Sequence, residues 1–521
     1  MNRRSFIKGI LASGTFPLLP ACSLIPLGYS TNSRVRLACV GIGNQAWSDI
    51  GKFEKTGLCE IVALCDTDLE GPQCRDALAD YPDAPRFTDF RKMLDAMVGK
   101  ADAVAVMTPD HSHFPALMDA MRHGFAVFSE KPLCHTFREH ELLLAEARRT
   151  GVVTQMGNQG HSEANLYQFR HYVETKVLDP AKVVRLVAHM NNDRRWYKYG
   201  GKVTGFPEAE ELPKGLDWNQ WLAGAPERDY SSKYMQGEWR SWYDFGSGCL
   251  GDWGAHTMDA MHRFFDLGLP TEVRIGDVVG WNPFVFPLQD TLVFSFPAKG
   301  ARPAVELEWR EGMRNLPELP EGYRKKFGMG GLSVPPGKII YLSDGTAWQG
   351  SSHGSTLFRC GDGYAPDYPA PRTNYLSHYE NFLLSVRGEA RTNSPFEVAV
   401  PLCEVFSLGI VAQRLNRGFK FDPVAKTATG DAEANILLRG PEPREEWREF
   451  YVCGQAHEDG RLRLFHCRFR HGRTHERPAS RLLREGDGRD ERTSAGLQLE
   501  LRPGRHLLCD GSGGLVRQAR A

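Results

Sequence analysis

The sequence has no excess of charge of either sign: 64 Lys and Arg stand against 64 Asp and Glu in 521 residues. Binding along a nucleic-acid backbone needs a concentrated basic surface, so no nucleic-acid partner is expected. The 12 cysteines include no C-x-x-C pair and no zinc-type spacing, which excludes a metal site or a disulfide framework as the organising device. Cys39 and Cys65 lie inside apolar runs and read as buried thiols. No apolar run reaches the roughly 20 residues of a membrane-spanning helix. Lysine is absent from residues 452–521, a stretch rich in Arg, Gly and His with little periodicity, and no fold is assigned to it. What remains, 41% apolar and 25% charged, is a globular composition with core enough for two or three domains.

Residues 1–22 are organised differently. Arg3-Arg4-Ser5-Phe6-Ile7-Lys8 and the apolar run Ile10–Leu19 have the layout of a signal for the twin-arginine (Tat) export machinery, which carries proteins already folded. Leu19-Pro20-Ala21-Cys22 resembles a lipobox, so lipidation at Cys22 would tether the chain to a membrane without spanning it. The expectation is an exported, periplasmic or membrane-anchored lipoprotein that acquires a cofactor before export.

The first strand-like run, Arg36-Leu37-Ala38-Cys39-Val40, passes directly into Gly41-Ile42-Gly43-Asn44-Gln45-Ala46 and a helical stretch, Trp47–Thr56. The pattern is G-x-G-x-x-A: Gly41 permits the tight turn, Gly43 lets backbone approach a pyrophosphate, and Ala46 allows close helix–strand packing. A second strand, Glu60–Cys65, ends at Asp66, where a carboxylate can accept ribose hydroxyls. That anion favours NAD over NADP, whose 2′-phosphate it repels. The alternation continues through a helix within Asp83–Val98, a strand at Asp102–Met107, a helix at Ala116–His123 and a strand at Ala126–Phe128. This is βαβ architecture with a parallel sheet.

Two strand ends carry polar clusters: Thr108-Pro109-Asp110-His111-Ser112-His113, and Ser129-Glu130-Lys131-Pro132. The E-K-P triplet after a strand of a dinucleotide-binding domain, together with Asp252-Trp253-Gly254-Ala255-His256, resembles the glucose-fructose oxidoreductase and inositol dehydrogenase (Gfo/Idh/MocA) family over about residues 34–440. The resemblance implies an N-terminal Rossmann domain over 34–155 and, over 156–440, an α+β domain for substrate and oligomerisation. It further implies that Lys131 reaches the reacting centre with Asp252 and His256, and that the chain forms a homo-oligomer. Gly41, Gly43, Asn44, Gln45, Asp66, Thr108, Pro109, His113 and Glu130 are the cofactor-side candidates.

The chemistry can also be argued from the residues. Oxidising a secondary alcohol by hydride transfer leaves a proton to be removed, for which His256 is the best base. Asp252, four residues earlier on one helical face, orients or stabilises it. Lys131 donates to the same oxygen. Beyond a helix at Glu163–Thr175, strand-like runs at Val183–His189, Glu272–Val279, Thr291–Phe296 and Val305–Trp309 suit a large, mainly antiparallel sheet. Helices at Tyr375–Val386 and Pro401–Leu415 are expected to close this domain. Aromatic and polar side chains are what a sugar ring needs, so Trp196, Tyr197, Arg240 and Tyr243 join Gln159 and His161 as substrate-side candidates. Trp218 and Trp221, three apart, read as core. The leading expectation is an NAD(P)-dependent oxidoreductase acting on a sugar, sugar derivative or cyclitol. The alternatives are an NAD-dependent glycosidase that works by transient oxidation and elimination, and a non-catalytic sugar sensor.

Overall fold

The computed structural model describes residues 33–192, 199, 202–323, 334–352, 357–361 and 375–452. Arg3, Arg4, Cys22, Trp196, Tyr197 and residues 453–521 lie outside the described residues.

The first sheet is built from β1 (Val35–Val40), β2 (Cys59–Cys65), β3 (Arg86–Phe87), β4 (Ala103–Val106), β5 (Ala126–Ser129) and β6 (Thr154–Met156). Their order across the sheet is β3-β2-β1-β4-β5-β6, and every pairing is parallel. β4 and β5 are buried along their whole length, which is why they read as unbroken apolar runs instead of alternating patterns. The strand order reverses at β1, which pairs with β2 on one side and β4 on the other, so a crevice opens beyond Val40.

Helices α1 (Gln45–Lys55), α2 (Phe90–Met97), α3 (Asp110–Arg122) and α4 (Phe137–Thr150) accompany this sheet. α3 starts six residues before the position the sequence suggested. The Thr108–His113 cluster is therefore a helical first turn, entered from Pro109 and carrying Asp110 where the positive end of the helix favours an acid.

Among the described residues, the second sheet has nine strands. β7 (Val183–Met190), β8 (Glu272–Ile275), β9 (Asp290–Phe296) and β10 (Val305–Glu311) match the expected runs, with β8 ending four residues earlier. β11 (Gly337–Leu342), β12 (Ala347–Ser351) and β13 (Phe358–Arg359) extend one edge, and β14 (Phe419–Asp422) and β15 (Thr427–Ala428) the other. All pairings are antiparallel except β7 with β10.

Four further helices, α5 (Ala164–Glu174), α6 (Gly248–Thr257), α7 (His378–Val386) and α8 (Phe396–Leu415), connect the layers. α8 is long and apolar enough to cross a membrane, but 78% of its apolar window is buried inside the protein. Its contact with α6 depends on glycine. A Cβ at Gly254 would meet the Phe406 ring at 2.6 Å, and one at Gly409 would meet Leu250 at 2.5 Å. The close approach clamps α6, and with it Asp252 and His256.

α7 packs on the first sheet instead of closing the second domain. Tyr379, Phe382, Leu383 and Val386 share a core with Phe53 and Phe128, the Tyr379 and Phe53 rings standing 4.8 Å apart. Near Tyr451 the chain again returns to the first layer, burying Trp447 and Phe450 against Phe90. Trp447→Ala is expected to cost about 3–5 kcal/mol of folding stability, the usual loss for a buried large aromatic side chain. Urea unfolding midpoints of the two proteins check this.

Candidate active site

A cavity of about 1350 Å³ opens at the carboxyl ends of the first sheet. At its base the chain turns from β1 through Gly41, whose φ is +80° and where a Cβ would lie 2.7 Å from the Met107 carbonyl oxygen. Asn44, at the N-cap of α1, makes no side-chain capping bond, and the first turn of α1 holds no acid. An uncapped positive helix end at the wall of a cavity suits a pyrophosphate. The residues thus fit a dinucleotide, and Gly41, Gly43, Asn44, Gln45, Asp66, Thr108, Pro109 and Glu130 all line the cavity.

Asp66 is less available than its place after β2 suggested. Its carboxylate accepts from Ile42 N at 3.0 Å and from Asp68 N at 3.1 Å, so it braces the glycine turn as well as facing the cavity. Burial raises its pKa, and these backbone donors oppose the shift. Asp68 and Glu70 line the same edge, a local excess of acid that sequence reading passed over.

At the opposite end Lys131, carried past β5, meets Asp252 on α6. The ammonium is ion-paired with Asp252 Oδ1 and donates to the Asp252 carbonyl oxygen at 3.1 Å. The pair is largely desolvated, with side chains 13% and 19% exposed. His256, one turn on, lines the cavity beside Trp253, so all three expected catalytic side chains meet there.

Glu130 is held by different groups. Its neighbour Asp49 on α1 is fully buried and accepts from the Tyr379 hydroxyl at 2.7 Å and from Lys52 Nζ at 2.8 Å. Gln159 Nε2 donates to the Tyr379 oxygen at 3.2 Å and reaches Glu130 Oε1 at 3.4 Å. Burial, then the Asp49 carboxylate, pushes Glu130 up to about 8, against the pull of Lys131. Burial and the neighbouring carboxylate thus favour its protonated form, while the Lys131 N–H and Gln159 donate to its oxygens. Sequence reading missed Asp49 and Tyr379, whose partners lie 330 residues apart in the chain.

Three candidates are corrected. His113 does not line the cavity: its ring is buried between the Pro132 carbonyl at 2.9 Å and the Thr108 carbonyl at 2.7 Å, bracing the two strand ends. His161 is wholly buried against Asp259 and Arg263, tying the turn before α5 to the short helix after α6. Tyr243 packs on Phe286 with ring centres 4.3 Å apart, away from the cavity. Gln159 and Arg240 do line it, Arg240 lying over the Trp239 ring at 4.1 Å. Trp239, Trp253 and Trp221 supply the aromatic wall; Trp221, expected in the core, stacks on Trp218 at 4.5 Å and still borders the cavity.

Comparison with known proteins agrees with this layout. The family descriptions "Oxidoreductase family, NAD-binding Rossmann fold" and "Oxidoreductase family, C-terminal alpha/beta domain", both of the GFO_IDH_MocA group, match residues 35–158 and 163–277. D-glucoside 3-dehydrogenase of Escherichia coli (strain K12) is 30% identical over 154 residues, covering 28% of this chain and 41% of that protein. Glycosyl hydrolase family 109 protein 2 of Shewanella sp. (strain ANA-3) is 27% identical over 161 residues, covering 26% and 35%. The chain therefore spans 35% to 41% of the length of these curated relatives. The WlbA dehydrogenase from Bordetella pertussis, solved with NADH and UDP-GlcNAcA, shares the fold at a TM-score of 0.53 and 15% identity, covering 76% of this chain and 99% of that one.

The raised pKa of Glu130 has a measurable consequence. Its pKa is raised on folding from 4.5 to about 8, so its contribution to stability is fully present below about pH 4.5 and is lost as the pH rises through 8. Glu130→Gln is expected to flatten that fall, which unfolding midpoints at pH 5 and pH 8.5 would reveal.

Proposed function

Because the chain belongs to the Gfo/Idh/MocA oxidoreductase family, we propose that it moves a hydride between tightly held NAD and a hydroxyl of a sugar, sugar derivative or cyclitol. The observation that carries this reading is that Lys131, Asp252 and His256 border the same cavity as the glycine turn and Asp66. Bound NAD supplies the hydride acceptor. Two of the three Lys131 N–H donors are spent on Asp252, which leaves the third for a substrate oxygen. The His256 imidazole takes the hydroxyl proton, and the Asp252 charge favours the protonated ring. Trp239, Trp253 and Arg240 offer the apolar and polar faces a pyranose presents.

Asp66, Asp68 and Glu70 together support NAD over NADP, because carboxylates along this edge of the cavity would repel a 2′-phosphate. The name of the Escherichia coli relative, D-glucoside 3-dehydrogenase, supports a sugar hydroxyl as the site of oxidation. The name of the Shewanella relative favours a second reading: oxidation of a glycoside acidifies the adjacent C–H, the glycosidic group is eliminated, and the hydride is returned after water adds. Net NADH formation from a free sugar supports the first reading, and glycoside cleavage without net NADH the second.

The proposal extends to location and assembly. The Arg3-Arg4 stretch supports export by the Tat route with cofactor already bound, and Cys22 supports a lipid tether. A homo-oligomer whose copies pair through the nine-stranded sheet belongs to the same proposal.

Lys131→Ala is expected to lower turnover by about 10²–10⁴ while NAD affinity stays near wild type. Unchanged turnover would remove Lys131 from the chemistry. Asp66→Ala is expected to weaken NAD and narrow its advantage over NADP, measured by titrating both nucleotides. Replacing Arg3-Arg4 by Lys-Lys is expected to leave loaded, active enzyme in the cytoplasm, as cell fractionation would show; export at the wild-type level would remove the Tat assignment.

A further inference from the structure

Beside His256 lies a second, smaller cavity of about 20 Å³, room for one water molecule or one hydroxyl group. His256 lines both spaces, so the small cavity adjoins the substrate end of the large one. Its walls include Asn165, from the first turn of α5, and Lys338, from β11. Lys338 stands opposite Gly350 of β12, which has no side chain to obstruct its stem. It is buried, and Nζ donates to the Ser351 carbonyl oxygen at 2.9 Å.

Two acceptors by this ammonium have no partner among the described residues: Asn165 Oδ1, which lines the small cavity with Lys338, and Glu163 Oε2, which acts on Lys338 electrostatically; both atoms are buried. Glu163 is the N-cap of α5, yet its side chain does not cap the helix, and it lines the large cavity. Both Glu163 and Asp259 act electrostatically on Lys338, whose pKa burial lowers to about 8. Native proteins rarely leave buried acceptors orphaned, so these two atoms mark where a donor belongs.

We propose that Glu163, Asn165 and Lys338 form a diol-binding subsite that takes two adjacent neutral hydroxyls of the substrate ring and rejects a ring bearing a carboxylate. The inference rests on the polyol reading above and deepens it. A hydroxyl donates one hydrogen and accepts others. One of two neighbouring hydroxyls can fill the small cavity, donating to Asn165 Oδ1 and accepting from an N–H of Lys338 not used by Ser351, while the next, still in the large cavity, donates to Glu163. A carboxylate has no hydrogen to give either acceptor. It would also bring a further negative charge beside the Glu163 carboxylate, which already acts on Lys338.

The test is calorimetric titration of the NADH-loaded enzyme with methyl β-D-glucopyranoside, its monodeoxy analogues, myo-inositol and glucuronate. Two adjacent deoxy positions are expected to weaken binding by about tenfold each, the usual worth of one such hydrogen bond. Asn165→Ala and Lys338→Met are each expected to lower glucoside affinity about tenfold, leaving the affinity for the corresponding deoxy analogue, and for NADH, unchanged. If Lys338→Met fails to fold, the Asn165→Ala result decides alone. Glucoside binding equal to wild type in the folded variants would mean that water satisfies the orphaned atoms, and would overturn the subsite while the polyol reading stands. Tighter binding of glucuronate than of the glucoside would overturn the choice of a neutral diol. If NADH binds and no polyol does, the polyol reading itself fails, and the subsite with it.

Discussion

The ion pair between Lys131 and Asp252 joins residues 121 positions apart and belongs to neither layer alone. Lys131 follows the fifth strand of the parallel sheet; Asp252 sits on a helix of the other layer. Both are largely out of water, where removing one partner leaves an uncompensated charge, a loss usually worth about 3–5 kcal/mol. Each layer thereby holds the other in register at the reacting centre. The helix bearing Asp252 cannot drift, because Gly254 and Gly409 bring it against the long apolar helix with no space for even a methyl group. The positions of His256 and Trp253 follow from that clamp.

The rest of the cavity is organised by acids whose environments differ. Asp66 is half-buried and satisfied by two backbone donors, so it serves both the turn and the nucleotide edge. Glu130 lies beside a second buried carboxylate, and its pKa is pushed up. Asp110 is also raised by burial, with Arg240 pulling the other way. A single cavity thus presents a negative edge after the second strand and a carboxyl of raised pKa beside the Lys131 backbone, within one continuous surface. Such divergent settings for like groups are how a site divides structural and chemical duties.

Aromatic residues show how local composition and final location part company. Trp239, Trp242 and Tyr243 lie within five positions of one another, yet Trp239 borders the cavity, Trp242 joins a core with Tyr234 and Phe245, and Tyr243 packs on Phe286. Nothing in their spacing separates these fates. A short 3-10 turn at Glu238–Ser241 rotates each successive side chain to a different neighbour, and only the surrounding layers determine which neighbour is open space.

Much was legible from the chain alone wherever function rests on local geometry. The glycine turn, the strand leading into it, the acid after the second strand and the i, i+4 spacing of Asp252 and His256 are short-range patterns set by backbone sterics and helical pitch, and each reappears in the structure. Long-range burial decided the rest. His113 and His161 look like site residues because histidine is versatile, but packing turned both into braces. The helix beginning at His378 carries no local mark of its partner, and only the meeting of Tyr379 with Asp49 shows that it returns to the first sheet. Hydrogen bonds and ion pairs between residues hundreds of positions apart arise from the layers coming together, which no local pattern encodes.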